Sequence, residues 1–78
     1  MSKKVYNDIM SGHKDNNIRF FDLRKVLEDN GFTCRIRGDH FIYKNPEYPE
    51  RINIQPVGNK AKAYQVKQVR AIFEKYNI

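Results

Sequence analysis

Apolar residues recur with helical spacing in three parts of the chain. Over residues 3–11 the apolar side is formed by Val5, Tyr6, Ile9 and Met10. Over residues 20–29 it is formed by Phe20, Leu23, Val26 and Leu27, and from about Tyr64 to Tyr76 by Val66, Val69, Ile72, Phe73 and Tyr76. The pattern therefore predicts three helices, of which the second ends at Asn30-Gly31, a strong helix stop.

Between the second and third helices the period changes to two. Phe32, Cys34 and Ile36 alternate with polar residues, which predicts a half-buried strand with Cys34 in the core. Gly38-Asp39 is a turn signal, and two further strands are predicted over residues 40–44 and 51–55. We expect the segment that joins these last two strands, including Tyr48-Pro49, to be a loop.

These elements predict an α+β fold with helices on one face of a three-stranded antiparallel sheet. The order αβββα resembles that of double-stranded RNA-binding domains, and the first helix is an addition to it. We divide the chain into an N-terminal extension over residues 1–16 and one domain over residues 17–78. A single domain is what 78 residues allow, and its core is thin, so we expect function on a surface or in a shallow groove.

Composition narrows the range of partners. The chain has 15 Lys and Arg against 9 Asp and Glu, a net charge of +6, which predicts a polyanion partner. Cys34 is the only cysteine, so an internal disulfide is excluded and a reducing cytoplasm is favoured. The sequence shows no membrane span, no glycine-rich phosphate loop and no acidic pair with metal-site spacing. We therefore expect a cytoplasmic protein with no membrane contact, metal or small-molecule cofactor.

Charge placement points to a nucleic acid. Residues 51–73 contain five basic residues and no acidic one, and two more basic residues share one face of the first predicted strand. Such residues suit phosphate and sugar contacts. The alternative is a solvated basic surface that keeps the protein soluble. The predicted RNA-binding residues are Arg35, Arg37, Lys60, Lys62, Lys67 and Arg70.

His40 is the candidate for acid–base chemistry. It follows the Gly38-Asp39 turn and opens a strand beside the basic face. Histidine exchanges protons near neutral pH, and RNA carries its own nucleophile, the 2′-hydroxyl, so a nuclease needs little more than such a group and nearby cations. Position alone also fits, and in fact favours, a histidine that is packed for structure or left in water.

Several short motifs together resemble a known family. They are LRKVLEDNGF over residues 23–32, RGDHFIY over residues 37–43, IQP over residues 54–56 and YQVKQVR over residues 64–70. In this order and spacing they resemble HicA-type toxins, small mRNA interferases of toxin–antitoxin pairs with a fold like that of double-stranded RNA-binding domains. The resemblance covers residues 17–78, and the extension is similar to that of one subgroup.

The resemblance implies a function and a site. It implies a metal-independent endoribonuclease that cleaves mRNA as the toxin of a type II toxin–antitoxin system, with His40 catalytic and Gly38 as the glycine of the catalytic turn. It also implies a HicB-like antitoxin that covers the basic face and His40. The chain departs from the family at Asp39, where a small hydroxyl residue is usual, and at Phe41, where a second histidine is frequent. Asp39 either hydrogen-bonds the ring of His40 or repels the scissile phosphate.

Two other functions stay open at this point. A non-catalytic RNA-binding module, including a degenerate toxin copy, would recognise RNA by shape and would not need His40. A DNA-binding or ribosome-associated basic protein ranks last, because the sequence contains no evident helix for reading base edges.

Overall fold

The computed structural model describes residues 3–78 and has an α+β architecture. Its helices are α1 (Lys3–Ser11), α2 (Phe20–Asp29) and α3 (Ala63–Tyr76), with a short 3₁₀ turn at Asp15–Asn17. Its strands are β1 (Thr33–Arg37), β2 (His40–Asn45), β3 (Tyr48–Ile54), β4 (Pro56–Val57) and β5 (Lys60–Ala61). Strands β1, β2 and β3 form an antiparallel sheet with β2 in the centre, and β4 pairs with β5. Across residues 3–78, no helix is long and apolar enough to cross a membrane.

The core lies between the helices and one face of the three-stranded sheet. Tyr43, Ile52 and Ile54 from the sheet are fully buried with the apolar faces of α2 and α3. Ile9 of α1 is also fully buried in this cluster. The predicted extension therefore packs into the same core as the rest of the chain, although its residues 1 and 2 lie outside the described residues.

Helix α2 ends where the Asn30-Gly31 signal predicts. Gly31 has φ +87°, and the amides of Gly31 and Phe32 donate to the carbonyls of Glu28 and Leu27, 3.1 Å each. This is a Schellman cap, in which glycine adopts the left-handed conformation at no steric cost. The cap delivers the chain directly into β1, with Phe32 buried.

The β1–β2 hairpin turns through two residues. Gly38 has φ +60°, whereas Asp39 does not have a positive φ, and this combination is that of a type II′ turn with glycine at its first position. The closing pair is Arg37 and His40, which face each other across the two strands. The turn thus sets His40 beside Arg37 on one face of the sheet.

The sequence-based prediction was wrong about the loop at Tyr48-Pro49. Strand β3 already begins at Tyr48, whose ring packs against that of Tyr76 at 4.4 Å between centroids. Pro49 is tolerated because β3 is an edge strand and proline removes no bond to a neighbour on its free side. The contact with α3, which sequence spacing does not reveal, extends the strand.

The β4–β5 hairpin was not predicted. Its strands are two residues long, too short for a visible period. Hydrogen bonds to the start of α2 and the chain just before it hold the hairpin: the amide of Phe20 donates to the carbonyl of Asn59, and that of Ala61 to the carbonyl of Ile18, both at 2.9 Å. This hairpin carries the chain from the end of β3 to the start of α3.

A buried hydroxyl anchors α2 to the central strand. Tyr43 donates a hydrogen bond of 2.6 Å to Glu28 and accepts one of 2.9 Å from Arg24. Burial, together with the bond to Glu28, raises the pKa of Tyr43 well above its ordinary range. Arg24 also stacks on the Phe41 ring at 4.6 Å, so this cation is engaged in holding α2 on the sheet.

Candidate nucleic-acid interface

The face of the sheet that points away from the helices is basic. Strand register and the alternation of side chains place the following residues on it: Thr33, Arg35, Arg37, His40, Ile42, Lys44, Arg51 and Asn53. None of them is acidic. A shallow groove of about 460 Å³ runs over this face, lined mainly by the basic side chains and Ile42. We call these eight residues the open sheet face.

The cations of the open sheet face are unpaired within residues 3–78. No hydrogen bond or ion pair to another described residue holds the side chains of Arg35, Arg37, Lys44 or Arg51. Four free positive charges on neighbouring strands, which lie about 4.8 Å apart, form a concentrated positive field. A flexible polyanion can bind here by releasing its counterions as these side chains contact its negative charges.

His40 lies at one end of this face, and its side chain is 47% exposed. Its Nδ1 is 3.3 Å from Asn53 Oδ1, and its Nε2 is 3.3 Å from Gln55 Nε2. One neutral tautomer satisfies both contacts: Nδ1–H donates to Asn53, and the lone pair on Nε2 accepts from the Gln55 amide. The ring is thereby oriented with its basic nitrogen towards Gln55 and solvent.

Asp39 brings a negative charge to the same place. Its carboxylate accepts a hydrogen bond of 3.3 Å from Gln55 Nε2 and lies 3.7 Å from His40 Nε2. The carboxylate opposes the approach of a phosphate to this nitrogen, because like charges repel each other.

Gln55 connects this end of the sheet to α3. Its Oε1 accepts a hydrogen bond of 3.3 Å from Lys62 Nζ, and its backbone amide donates to Gln65 Oε1 at 2.9 Å. Gln65 is buried, so the end of β3 is fixed against the first turn of α3. Lys62 is the member of the predicted basic set from residues 51–73 that the structure brings to His40, one glutamine away.

Three more basic residues from that stretch, Lys60, Lys67 and Arg70, lie near the 3₁₀ turn. Lys60 donates to Asn17 Oδ1 at 3.4 Å. Arg70 forms a two-bond ion pair with Asp15, at 2.8 and 3.0 Å, and donates to the Ile9 carbonyl at 2.9 Å. Lys67 and Arg70 both lower the pKa of Asp15. Arg70 is thus engaged within the fold, and it lies outside the open sheet face.

The predicted set of RNA-binding residues left out four polar residues of this region: Lys44, Arg51, Asn53 and Gln55. Arg51 and Gln55 belong to the basic stretch over residues 51–73, but neither was assigned to the site. Strand alternation places Lys44 outward next to the buried Tyr43, and Arg51, Asn53 and Gln55 outward around the buried Ile52 and Ile54. Alternation does not show that Asn53 and Gln55 contact His40. Their roles follow from the β2–β3 register and from the chain path into α3.

Neither metal ligands among the described residues nor similar proteins identify the function of the site. Among the described residues, no three His, Cys, Asp or Glu side chains converge as metal ligands would. No family model, no curated protein and no solved structure matches the chain. Only the residues of the site and their geometry therefore indicate what this protein does.

Proposed function

We propose that the chain is an RNA endonuclease with a fold like that of double-stranded RNA-binding domains, acting as the toxin of a toxin–antitoxin pair. The observation that carries the proposal is the position of His40, an accessible and oriented imidazole at the end of an acid-free basic face. The resemblance of RGDHFIY and the flanking motifs to HicA-type toxins supports the same function.

The chemistry uses the RNA's own nucleophile. His40 Nε2 accepts the proton of a 2′-hydroxyl as its oxygen forms a bond to the adjacent phosphorus, and the bond from phosphorus to the 5′-oxygen breaks. The products are a 2′,3′-cyclic phosphate and a 5′-hydroxyl, whose proton comes from water or from the imidazolium. Gln55, which occupies Nε2 in the free protein at 3.3 Å, gives way to the substrate.

Nearby cations stabilise the charge that develops on the phosphate. Arg37 faces His40 across the hairpin, and Lys62 reaches the site through Gln55. Cations aimed at a developing oxyanion lower the barrier more than they lower the ground state, which is the basis of electrostatic catalysis. In this mechanism Arg35, Lys44 and Arg51 hold the rest of the RNA backbone, and no metal takes part.

The proposed partner is an antitoxin of the HicB type. The open sheet face carries free positive charge next to a catalytic group, so a protein that presents acidic side chains would neutralise the charge and cover His40 together. Such a partner would also explain how a cell tolerates the nuclease.

A growth assay tests the proposal. Wild-type protein, His40→Ala and the matched control His13→Ala are expressed from an inducible promoter, and total RNA is examined in parallel. His13 is an exposed histidine outside the site. We expect growth arrest and loss of mRNA with wild type and His13→Ala, and neither with His40→Ala, whose cleavage rate falls at least about 100-fold.

Two outcomes would contradict the proposed metal-independent mechanism with His40. Equal growth of cells expressing wild type and His40→Ala, at matched protein levels, would leave no role for the imidazole. Loss of RNA cleavage by the purified wild type on addition of a chelator would reject the metal-independent mechanism.

A non-catalytic RNA-binding module is the second candidate, and Asp39 favours it. A carboxylate 3.7 Å from His40 Nε2 repels the phosphate that must reach that nitrogen. The module predicts salt-sensitive RNA binding by both wild type and His40→Ala, with no RNA cleavage by either. The same purified proteins therefore decide between the two candidates.

A further inference from the structure

We propose that Tyr64 forms a nucleobase-binding site, on which one unpaired base of the RNA stacks next to the phosphate at His40. The inference rests on the proposed RNA function and adds a contact of a different kind, since the residues of the open sheet face bind phosphates. The ligand is the π-face of a nucleobase, and stacking does not depend on which base it is.

Tyr64 is exposed but held in place. The residue is 63% exposed on the first turn of α3. Its hydroxyl accepts a hydrogen bond of 3.3 Å from Gln65 Nε2, while Gln65 Oε1 binds the backbone amide of Gln55 at 2.9 Å. Because Gln65 is only 2% exposed, its amide is a fixed support. A ring fixed in advance loses little conformational entropy when a base stacks on it.

The ring belongs to the same network as the catalytic group. Gln55 is the common member: its side-chain nitrogen contacts His40 Nε2 and its backbone amide binds the support of Tyr64. Lys62 also donates to Gln55 and lies two residues before Tyr64 in the chain. The bonds of Gln55 and Gln65 thus connect the proposed phosphate position at His40 and Lys62 to an exposed aromatic ring, on which we place the neighbouring base.

The open sheet face provides no such surface. Apart from the His40 imidazole, which is needed for proton transfer, its outward residues include no aromatic side chain, and Ile42 is its only large apolar residue among those described. Bases of a strand that lies on this face therefore have cations and amides to contact and no Phe, Tyr or Trp ring. Single-strand binders combine a basic groove with aromatic stacking, and Tyr64 supplies the second part.

Phe21 gives a matched control. It is the other large aromatic side chain that is mostly exposed in the described chain, at 64%. It lies on α2, in a groove with Phe20, Phe41 and Pro56, and has no bond to the Gln55 network. A general effect of removing an exposed ring would appear equally in Phe21→Ala and Tyr64→Ala.

The test measures binding of a short single-stranded RNA whose 2′-hydroxyls are methylated, so that it cannot be cleaved. We expect Tyr64→Ala to weaken binding about tenfold, Tyr64→Phe to stay within about twofold of wild type, and Phe21→Ala to have no effect. The salt dependence of binding stays unchanged in Tyr64→Ala, because stacking releases no counterions.

An abasic scan of the same oligonucleotide then locates the base. At one position, loss of the base weakens binding by wild type about tenfold and leaves binding by Tyr64→Ala unchanged. Equal affinity of wild type and Tyr64→Ala would overturn the inference and leave the nuclease proposal intact, as would an equal loss in Phe21→Ala. Failure of the wild type to bind RNA at low salt would overturn both.

Discussion

Arg37 and Arg70 are the same residue type in two opposite situations. Arg37 lies on the open sheet face, exposed and without a partner among the described residues. Arg70 is only 15% exposed, bound to both carboxylate oxygens of Asp15 and to the Ile9 carbonyl. The net charge of the chain counts them equally. Their surroundings bind Arg70 to the fold and leave the side chain of Arg37 available to a ligand.

The difference shows what a count of basic residues leaves out. Arg70 uses three of the five N–H donors of its guanidinium on Asp15 and the Ile9 carbonyl, and the carboxylate neutralises its charge, so a phosphate would have to compete with the fold for it. A guanidinium in water exchanges solvent and counterions for a phosphate at little cost. Substitutions on the open sheet face and at Arg70 distinguish cations that are free to bind a phosphate from cations that stabilise the fold.

The largest expected effect is on RNA binding. Replacing Arg35, Arg37, Lys44 and Arg51 with Gln removes four phosphate contacts from the open sheet face. Each contact to single-stranded RNA contributes about 0.7 to the slope of log affinity against log salt, so the slope should fall by about 3. Near 0.1 M salt this is a loss of roughly several hundredfold in affinity, measured with uncleavable RNA.

A second quadruple variant controls for net charge. Replacing Lys3, Lys4, Lys14 and Lys25 with Gln removes the same charge from exposed positions outside the open sheet face. Its salt slope should fall by less than about 1, because these residues make few phosphate contacts. If both variants lost affinity equally, RNA binding would follow net charge alone, and the distinction between the two regions would be lost.

The next effect is on stability. Arg70→Ala leaves the Asp15 carboxylate and the Ile9 carbonyl without their partner in a part-buried position. We expect a loss of about 2–3 kcal/mol in the free energy of unfolding, measured in urea. Arg37→Ala is the comparison and should change stability by no more than about 0.5 kcal/mol. An Arg70→Ala protein as stable as wild type would contradict the assigned role.

The pH dependence of stability checks the same ion pair. The hydrogen bond from Arg70 holds the pKa of Asp15 below its ordinary value of about 3.9. The unfolded chain therefore takes up a proton before the folded protein does. The stabilising contribution is complete above pH 4–5 and is lost as the pH falls through the lower pKa of the folded state. Arg70→Ala should lack this component, while Arg37→Ala keeps it.

The regular elements could be predicted from the sequence because their signals are local. The period of Phe20, Leu23 and Val26 and the Asn30-Gly31 stop give α2 with its observed end, and Gly38-Asp39 gives the hairpin. The first three residues of β3 and the β4–β5 hairpin depend on tertiary contacts, such as Tyr48 with Tyr76 and Phe20 with Asn59. No pattern of neighbouring residues in the sequence indicates these contacts.

The candidate site divides in the same way. His40 and Arg37 follow from the hairpin, and the alternation of β2 and β3 contained Lys44 and Arg51. The pairing of Arg70 with Asp15 joins residues 55 positions apart, and the bond between Gln55 and Gln65 depends on how α3 meets β3. Which cations are free is therefore a property of the tertiary structure.

The smallest expected effect concerns the second pair of matched residues, the carboxylates of Asp15 and Asp39. Asp15 is paired with Arg70, whereas the side chain of Asp39 is 71% exposed and lies beside His40. Asp39→Asn keeps an oxygen that accepts from Gln55 and removes only the charge. We expect uncleavable RNA to bind about two- to threefold more tightly at low salt, with no difference at high salt, because exposed charges are screened.

Glu47→Gln is the matched control, since Glu47 is an exposed carboxylate in the turn between β2 and β3, at the other end of the open sheet face from the hairpin turn. If Asp39→Asn tightened RNA binding and Glu47→Gln did not, the repulsion of phosphate would be local to His40, and Asp39 would weaken RNA binding at this site. If Asp39→Asn instead bound more weakly, the carboxylate would act by orienting Gln55 and the imidazole. Asp39 would then resemble Arg70, because its charge would hold neighbouring side chains in position and would not act directly on the ligand.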